Sequence, residues 1–216
     1  VVRLVGSEMC IRDRFIINFN QELKKREIEC DQILFTTSNK VANLLTQNIS
    51  KNLFGTPHNY FTAYCILLEL RESLSESYWM NIADNSLFYC GYIEHTRLTG
   101  IEVYGGIHLA YLTKYTYHPN KDDSQVLDKN KLKEYAYICL AKLFPEKNLE
   151  ELIIKMHINI APNAQVVTDF KFRPCKIKPD YGKNLYIANM SNVYPDERSI
   201  NNAIKIGCIA SEEIYK

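Results

Sequence analysis

No stretch of this 216-residue sequence reads G-x-G-x-x-G after a strand pattern, and neither G-x-x-x-x-G-K-[ST] nor G-x-S-x-G occurs. The chain therefore holds no dinucleotide-binding glycine turn, no phosphate-cradling P-loop and no serine-hydrolase elbow. C-x-x-C is also missing. The seven cysteines are so scattered that the nearest pair, Cys10 and Cys30, is twenty positions apart. An odd, dispersed set reads as free thiols in a reducing cytosol, so the expected location is cytoplasmic. His58, His108, His118 and His157 have no metal-ligand spacing, and no metal site is expected. No apolar run nears the roughly 20 residues of a membrane span, so no integral membrane segment is expected. A net charge of +1 gives no general field for nucleic acid or anionic lipid, and nucleic acid is not an expected partner.

What is present supports a folded core with β structure: 46% apolar residues, including 15 tyrosines and 9 phenylalanines. Residues 1–14, VVRLVGSEMCIRDR, differ in character from the rest, and SEMCIRDR looks like translated sequencing-adapter sequence. They are set apart from fold reasoning as a probable artefact, with a first strand at Val1–Val5 as the alternative. Phe15–Asn20 and Glu27–Cys30 read as strands around a charged turn at Gln21–Arg26. Asp31–Thr37 reads as a buried strand leading to a helix capped by Asn39, with Val41, Leu44 and Leu45 on its face. Gly55, Pro57, His58 and Asn59 mark a crossover loop and the best domain boundary.

Beyond it the pattern is strand-rich. In Tyr60–Glu72, Tyr64, Ile66, Leu68 and Leu70 can share a face. Ser77–Ile82 and Leu87–Thr96 follow as short antiparallel strands. After the Gly105-Gly106 turn, Leu109, Tyr111, Thr113, Tyr115 and Tyr117 lie on one side of a strand over Ile107–Tyr117. Asp128 caps a helix through Phe144, with Leu132, Tyr135, Ala136, Cys139, Leu140 and Leu143 in one stripe and Pro145 as its stop. Asn148 with Glu151 reads as a capping-box start for a second helix that carries Met156. Strands near Met156–Ile160 and Ala164–Phe170 follow.

The C-terminal stretch from Asn184 to Ser211 organises the functional reading. Leu185–Ala188 reads as a buried strand and Asn189–Arg198 as a turn. Ile200, Ala203, Ile204, Gly207 and Cys208 then recur at helical spacing, and Gly207 allows close approach to a sheet. Ser199 or Asp196 starts that helix. Unpaired amides and the helix dipole at such a start suit an anion, with a phosphate or the N1–C2=O edge of a flavin as candidates. An ordinary helix packed on a sheet has the same pattern.

This stretch resembles the C-terminal signature of the FAD-dependent amine oxidase superfamily, in its protoporphyrinogen-oxidase-like branch. The resemblance rests on Leu185–Ala188, then Tyr194-Pro195-Asp196-Glu197-Arg198, then Ala203-Ile204 with Gly207. It extends to Asp31–Thr37, SYWMNIAD, GYIEHTRL, YGGIHLAYLTKY and APNAQVV. It implies FAD as cofactor, with contacts at Asn189, Met190, Arg198, Ser199, Ile200 and Asn201. Where the family usually has Gly after the Arg, this chain has Ser199, and a positive φ there would disfavour it. The implied fold is α/β with α+β character: a mixed-sheet substrate domain flanked by parts of an incomplete FAD-binding Rossmann-like domain. The implied limits are 15–56 for the first flavin-domain part, 57–162 for the substrate domain and 163–216 for the return. The implied activity is that of an FAD-dependent oxidoreductase whose flavin takes a hydride from a bound small-molecule substrate, in a fragment lacking the N-terminal fingerprint. Alternatives are a non-redox enzyme resembling UDP-galactopyranose mutases, needing cations such as Arg71, Arg97 and Lys114, and an inert fragment or binding module. On the substrate side, Asn81, Glu94 and His95 are the candidate catalytic residues if their strands are neighbours. A tyrosine wall of Tyr104, Tyr111, Tyr115 and Tyr117 is better read as core packing.

Overall fold

Residues 3–6, 14–21, 24–55, 59–117, 127–180 and 184–216 are described by a computed structural model. Residues 7–13 of the adapter-like run, the Pro57-His58 crossover and His118 lie outside the described residues. The strands are β1 (Arg3–Gly6), β2 (Phe15–Gln21), β3 (Lys24–Cys30), β4 (Ile33–Phe35), β5 (Tyr60–Leu70), β6 (Trp79–Asn81), β7 (Gly91–Glu94), β8 (His108–Thr116), β9 (Ile153–Val166) and β10 (Leu185–Ile187). The helices are α1 (Asn39–Leu45), α2 (Thr96–Thr99), α3 (Lys129–Leu143), α4 (Leu149–Leu152) and α5 (Ile200–Ile214). They divide into two compact units, Val1–Asn59 with Val166–Lys216, and Tyr60–Gln165. The whole is α+β, with mixed sheets.

Alternation builds the second unit. Its sheet runs β6-β7-β8-β5-β9, and the pairs β6·β7, β7·β8 and β5·β8 are antiparallel. Ile66 lies opposite Leu112 and Leu68 opposite Ala110, so one face is continuous across strands. That face buries Tyr64, Ile66, Leu68, Leu70, Tyr92, Ala110 and Leu112 in one core cluster with Leu132, Ala136, Cys139 and Leu140 of α3. The α3 stripe and its Asp128 cap, which accepts from Asn130 N–H at 3.1 Å, agree with the sequence pattern. Asp128→Ala is expected to cost about 1 kcal/mol, the typical value of such a cap, read as a lowered thermal midpoint.

Three expectations change here. The face of β8 turned to the core carries Ala110 and Leu112. The tyrosine side faces away, with Tyr111 half-buried and Tyr115 50% exposed. The second helix is one turn, Leu149–Leu152, without a side-chain cap at Asn148, because the β-branched run Ile153-Ile154 starts the 14-residue strand β9. Leu87–Thr96 yields a strand only at Gly91–Glu94, after which His95 adopts helical dihedrals and starts α2.

The first unit holds a three-stranded antiparallel sheet, β1-β2-β3, and a two-stranded parallel ladder, Leu185–Ile187 on Ile33–Phe35. Arg3–Gly6, from the segment set apart above, is an edge strand opposite Phe15–Asn18. Phe35, Ala42, Phe54, Leu185 and Ile187 make a small core, with Phe15 and Ile17 packed on it. Ser38 rather than Asn39 caps α1, accepting from Val41 N–H at 3.3 Å. The buried side of α1 is Asn39, Ala42 and Asn43, while Val41 and Leu44 of the expected apolar face are exposed. Asn39 and Asn43 are inside because they bond backbone: Asn39 Nδ2 donates to Phe54 O and Asn43 Nδ2 to Gly55 O, both at 2.8 Å.

Candidate functional site

At the end of β10 the chain turns on a polar knot. Asn189 Oδ1 accepts from Ser191 N–H at 2.8 Å, and Asn189 N–H donates to Asn192 Oδ1 at 2.9 Å. This reciprocal box caps the 3-10 turn Met190–Val193. Asn189 Nδ2 also donates to Thr37 O at 2.8 Å and Asn39 Oδ1 at 3.0 Å, tying the ends of β4 and β10 together. Asn192 Nδ2 donates to Cys175 O at 2.9 Å. The side chain of Asn189 is thus committed to protein partners, whereas Met190 is exposed.

Helix α5 starts at Ser199, whose Oγ accepts from Asn202 N–H at 3.3 Å. The alternative start at Asp196 is not used: residues 196–199 are outside the helix, and Asp196 pairs with Lys205 at 3.1 Å. Ser199 has φ −130°, an extended conformation open to any residue, so serine in place of glycine is unstrained. Of the first amides of α5, Asn202 N–H is taken by Ser199 Oγ and Ala203 N–H by Ser199 O. Ile200 and Asn201 N–H have no acceptor among the described residues. Arg198 is exposed and forms no ion pair among them. Two open amides at the positive end of a four-turn helix, beside an uncommitted guanidinium, can hold an anion or a carbonyl edge.

The expected apolar stripe of α5 does not meet a sheet. Ile200 is 80% and Ile204 61% exposed, Cys208 is exposed, and Gly207 has nothing within 4 Å of a built Cβ. Ala210 is the fully buried residue of the helix.

In the second unit, the three substrate-side candidates do not gather. Asn81 pairs with Gly91 at one end of the β6·β7 ladder, and its Oδ1 accepts from Trp79 Nε1 at 2.9 Å. Glu94, at the other end of β7, is on the covered face, 0% exposed. Its Oε2 accepts from the Tyr92 hydroxyl, and its Oε1 is buried without a partner. Burial first, and the carboxyl second, push the Tyr92 phenol well above its ordinary range. His95 lies with the tyrosines: Nε2 is 2.9 Å from Tyr104 Oη, and its ring meets that of Tyr111 edge-on, centroids 5.7 Å apart. Burial raises the Tyr111 phenol.

A second imidazole escaped the sequence reading. His157 Nε2 of β9 is 2.5 Å from Glu69 Oε1 of β5, both half-buried. In β5, Glu69 alternates with the core residues Leu68 and Leu70, and Leu67 lies opposite Tyr111. The pair therefore shares the uncovered face with Tyr111 and His95. Residues 69 and 157 are 88 positions apart, and no local pattern links them.

Arg71, Arg97 and Lys114 are also dispersed. Arg71 Nε donates to Glu151 O and Arg97 Nε to Ser75 O, while Lys114 sits opposite Tyr64, six ladder positions from the end of β5 at Leu70. All six described cysteines are free thiols, and burial pushes Cys139 up to about 11, away from nucleophilic use. Among the described residues there is no cluster of three metal-ligating side chains and no helix long and apolar enough to cross a membrane.

No family model matches this sequence, and no curated protein does. Solved structures match its fold. A provisionally named protoporphyrinogen oxidase from Exiguobacterium sp. superposes on 98% of the chain with TM-score 0.62 and 9% identity. Cyclohexylamine oxidase from Brevibacterium oxydans superposes on 100% with TM-score 0.57 and 12% identity, and an oxidoreductase from Methanosarcina mazei on 87% with TM-score 0.55 and 14% identity. The chain spans 47%, 49% and 43% of those proteins, about half the length of each. At such identities the likeness is one of fold.

Proposed function

We propose that this chain is the substrate domain and C-terminal part of an FAD-dependent oxidoreductase. The observation that carries the reading is the start of α5. The motif resemblance puts a cofactor contact at Ser199, Ile200 and Asn201, and there the helix offers two open amides beside Arg198. The fit is chemical as well as positional, because amide donors and a helix dipole favour the electron-rich carbonyl edge of a flavin ring or a phosphate. When bound, FAD would supply the hydride acceptor for oxidation of a C–N or C–C bond.

The other residues then take distinct roles. Arg198 adds positive charge next to the open amides, and Met190 lies exposed on the 3-10 turn that precedes them in the chain. Asn189 is a positioning residue, holding the turn through Thr37, Asn39 and Ser191. The uncovered face of the five-stranded sheet is the substrate side, where Tyr111 forms an aromatic wall. His95, held by Tyr104, and His157, held by Glu69, are suited to donate or take a proton. Asn81 lies at the far end of that face, as a hydrogen-bonding group for a remote part of the substrate. Glu94 acts from the covered side, as a positioning residue under His95.

Ile200→Pro tests the cofactor contact. Proline is favoured at the first position of a helix and Ser199 is already extended, so the fold is retained while one amide is lost. In the parent polypeptide, FAD retention should weaken about tenfold, one hydrogen bond to a polar acceptor. The thermal midpoint of the apoprotein should not change. Unaltered FAD retention would sink the assignment. The 216-residue chain, lacking a glycine-rich fingerprint, is expected to hold FAD weakly or not at all.

A further inference from the structure

A cleft of about 410 Å³ opens on the helix-covered side of the five-stranded sheet, opposite the face that carries His95, Tyr111 and His157. That volume is in the range of small-molecule sites. The cleft lies between β8, α3 and the loop of residues 85–88. It forms there because the β7·β8 ladder ends with Gly91 opposite Thr113. One position on, Lys114 has that loop beside it instead of a strand.

Lys114 stands where the strand pattern calls for an apolar side chain. Side chains alternate along a strand, so it shares its face with the fully buried Ala110 and Leu112. It is half-buried there, opposite Tyr64 on β5, and forms no ion pair among the described residues. An ammonium taken partly out of water without a counter-charge is unfavourable, and an anion in the cleft would supply that charge. The wall of the cleft is aromatic. Phe88 and Tyr135 stack with centroids 5.0 Å apart and planes 21° apart, and Tyr64 and Tyr89 hold Phe88 edge-on. Ile138, three residues along α3 from Tyr135, extends this apolar surface and is 51% exposed. The loop is fixed in advance. Lys142 Nζ of α3 lies 2.5 Å from Asp84 Oδ2 and 3.1 Å from Ser86 Oγ, and Asp84 Oδ1 accepts from Ser86 N–H at 2.8 Å. Binding therefore need not order it.

From this arrangement we infer that the cleft is a ligand site for a planar aromatic monocarboxylate, with the carboxylate at Lys114 and the ring on the Phe88–Tyr135 wall. The charge count sets the class. Lys114 is the one charged residue among the described lining, and Lys142 is already engaged by Asp84. One negative charge is thus matched, and a diphosphate is not. The flat stacked wall favours an aromatic body over a sugar, and Asn85 and Ser86 add neutral hydrogen-bonding groups. The inference does not rest on the flavoprotein reading, since the cleft and the proposed substrate side are on opposite faces of the sheet.

Calorimetric titration of the 216-residue chain with 2-naphthoate tests it. One molecule should bind per chain, with half-saturation at about 1 mM or below, the affinity ordinary for a ligand of this size. Lys114→Met keeps an unbranched side chain without the charge and should weaken binding about tenfold or more. Lys114→Arg restores a cation and should bind within about threefold of the native chain. The neutral 2-naphthamide should bind the native chain as weakly as 2-naphthoate binds Lys114→Met. In amide spectra of the native chain, 2-naphthoate should shift Ser86, Lys114 and Ile138 and leave Tyr111 and His157 in place. Absence of saturable binding would overturn the inference and leave Lys114 as a side chain reaching solvent through a gap. Equal affinity in a folded Lys114→Met variant would also overturn it, as would shifts confined to the Tyr111 face. The spectra and the 2-naphthamide comparison use the native chain, so a variant that fails to fold does not decide the outcome. FAD is not read in any arm, so failure of the cofactor contact at α5 leaves this site standing, and the reverse holds.

Discussion

Replacing Leu112 by alanine will lower the stability of the five-stranded unit by about 2–5 kcal/mol, the range for a large-to-small change at a core site that cannot collapse. Leu112 is on β8, the middle strand of the sheet, with Tyr92 opposite it on β7 and Ile66 on β5. All three are fully buried, beneath an α3 layer of Leu132, Ala136 and Leu140. Neighbouring strands on both sides and a helix above hold the cavity open. Tyr115→Ala, on the same strand but on the exposed side, should change stability by less than about 1 kcal/mol. Trp79 is the single tryptophan and belongs to β6 of this unit, so its fluorescence in urea reports this unit's transition. That matters because a chain of two units need not unfold in one step. A Leu112→Ala loss below about 1 kcal/mol would mean that α3 does not seat on the sheet as described.

The same unit was the readable part of the sequence, and the reason is physical. β5 is an apolar, aromatic-rich run broken only by Thr62 and Glu69 over eleven positions, and α3 repeats its apolar residues at helical spacing over fifteen, so each window is long enough to declare its element. In β8 the signal misled, because leucine and tyrosine on the open face outweighed the small Ala110 of the buried one. In the first unit the signal failed differently. α1 buries Asn39 and Asn43, which with Asn189 and Asn192 of the turn after β10 donate to loop carbonyls at Phe54, Gly55, Thr37 and Cys175. A hydrophobic period cannot register an interior made of side-chain amides. The stripes it did register, at Val41–Leu44 and Ile200–Ile204, are those left uncovered.

The candidate site was legible to the same degree. Strand, turn and helix follow from local residues, and Ser199 as cap follows from its residue type. That Asn189 is spent on Thr37 and Asn39 depends on partners about 150 positions away. Likewise, Glu94 and His95 are adjacent in sequence, and adjacency suggested a joint role. In a strand, however, successive side chains point to opposite faces. Glu94 follows that rule into the core, while His95, at the first turn of α2, meets Tyr104 and Tyr111 instead.

Glu94 therefore offers a sharp test of role against placement. Glu94→Ala should cost about 3 kcal/mol, combining a cavity with a stranded Tyr92 hydroxyl that has lost its acceptor. Glu94→Gln keeps an oxygen for that hydroxyl and should cost within about 1 kcal/mol, even though its amide nitrogen inherits the unpartnered position of Oε1. The double change Tyr92→Phe with Glu94→Met removes both polar groups and keeps the volume, so it should return stability to within about 1 kcal/mol of the native protein. A double-mutant cycle at Tyr92 and Glu94, read by Trp79 fluorescence in urea, isolates the coupling. If Glu94 served chemistry directly, its removal would relieve rather than damage the fold, as it commonly does for functional groups held in unfavourable surroundings. A Glu94→Ala protein as stable as the native one would therefore return this carboxyl to the catalytic set. A loss of about 3 kcal/mol, recovered in the apolar double variant, fixes it as the polar pin beneath the strand end that carries His95.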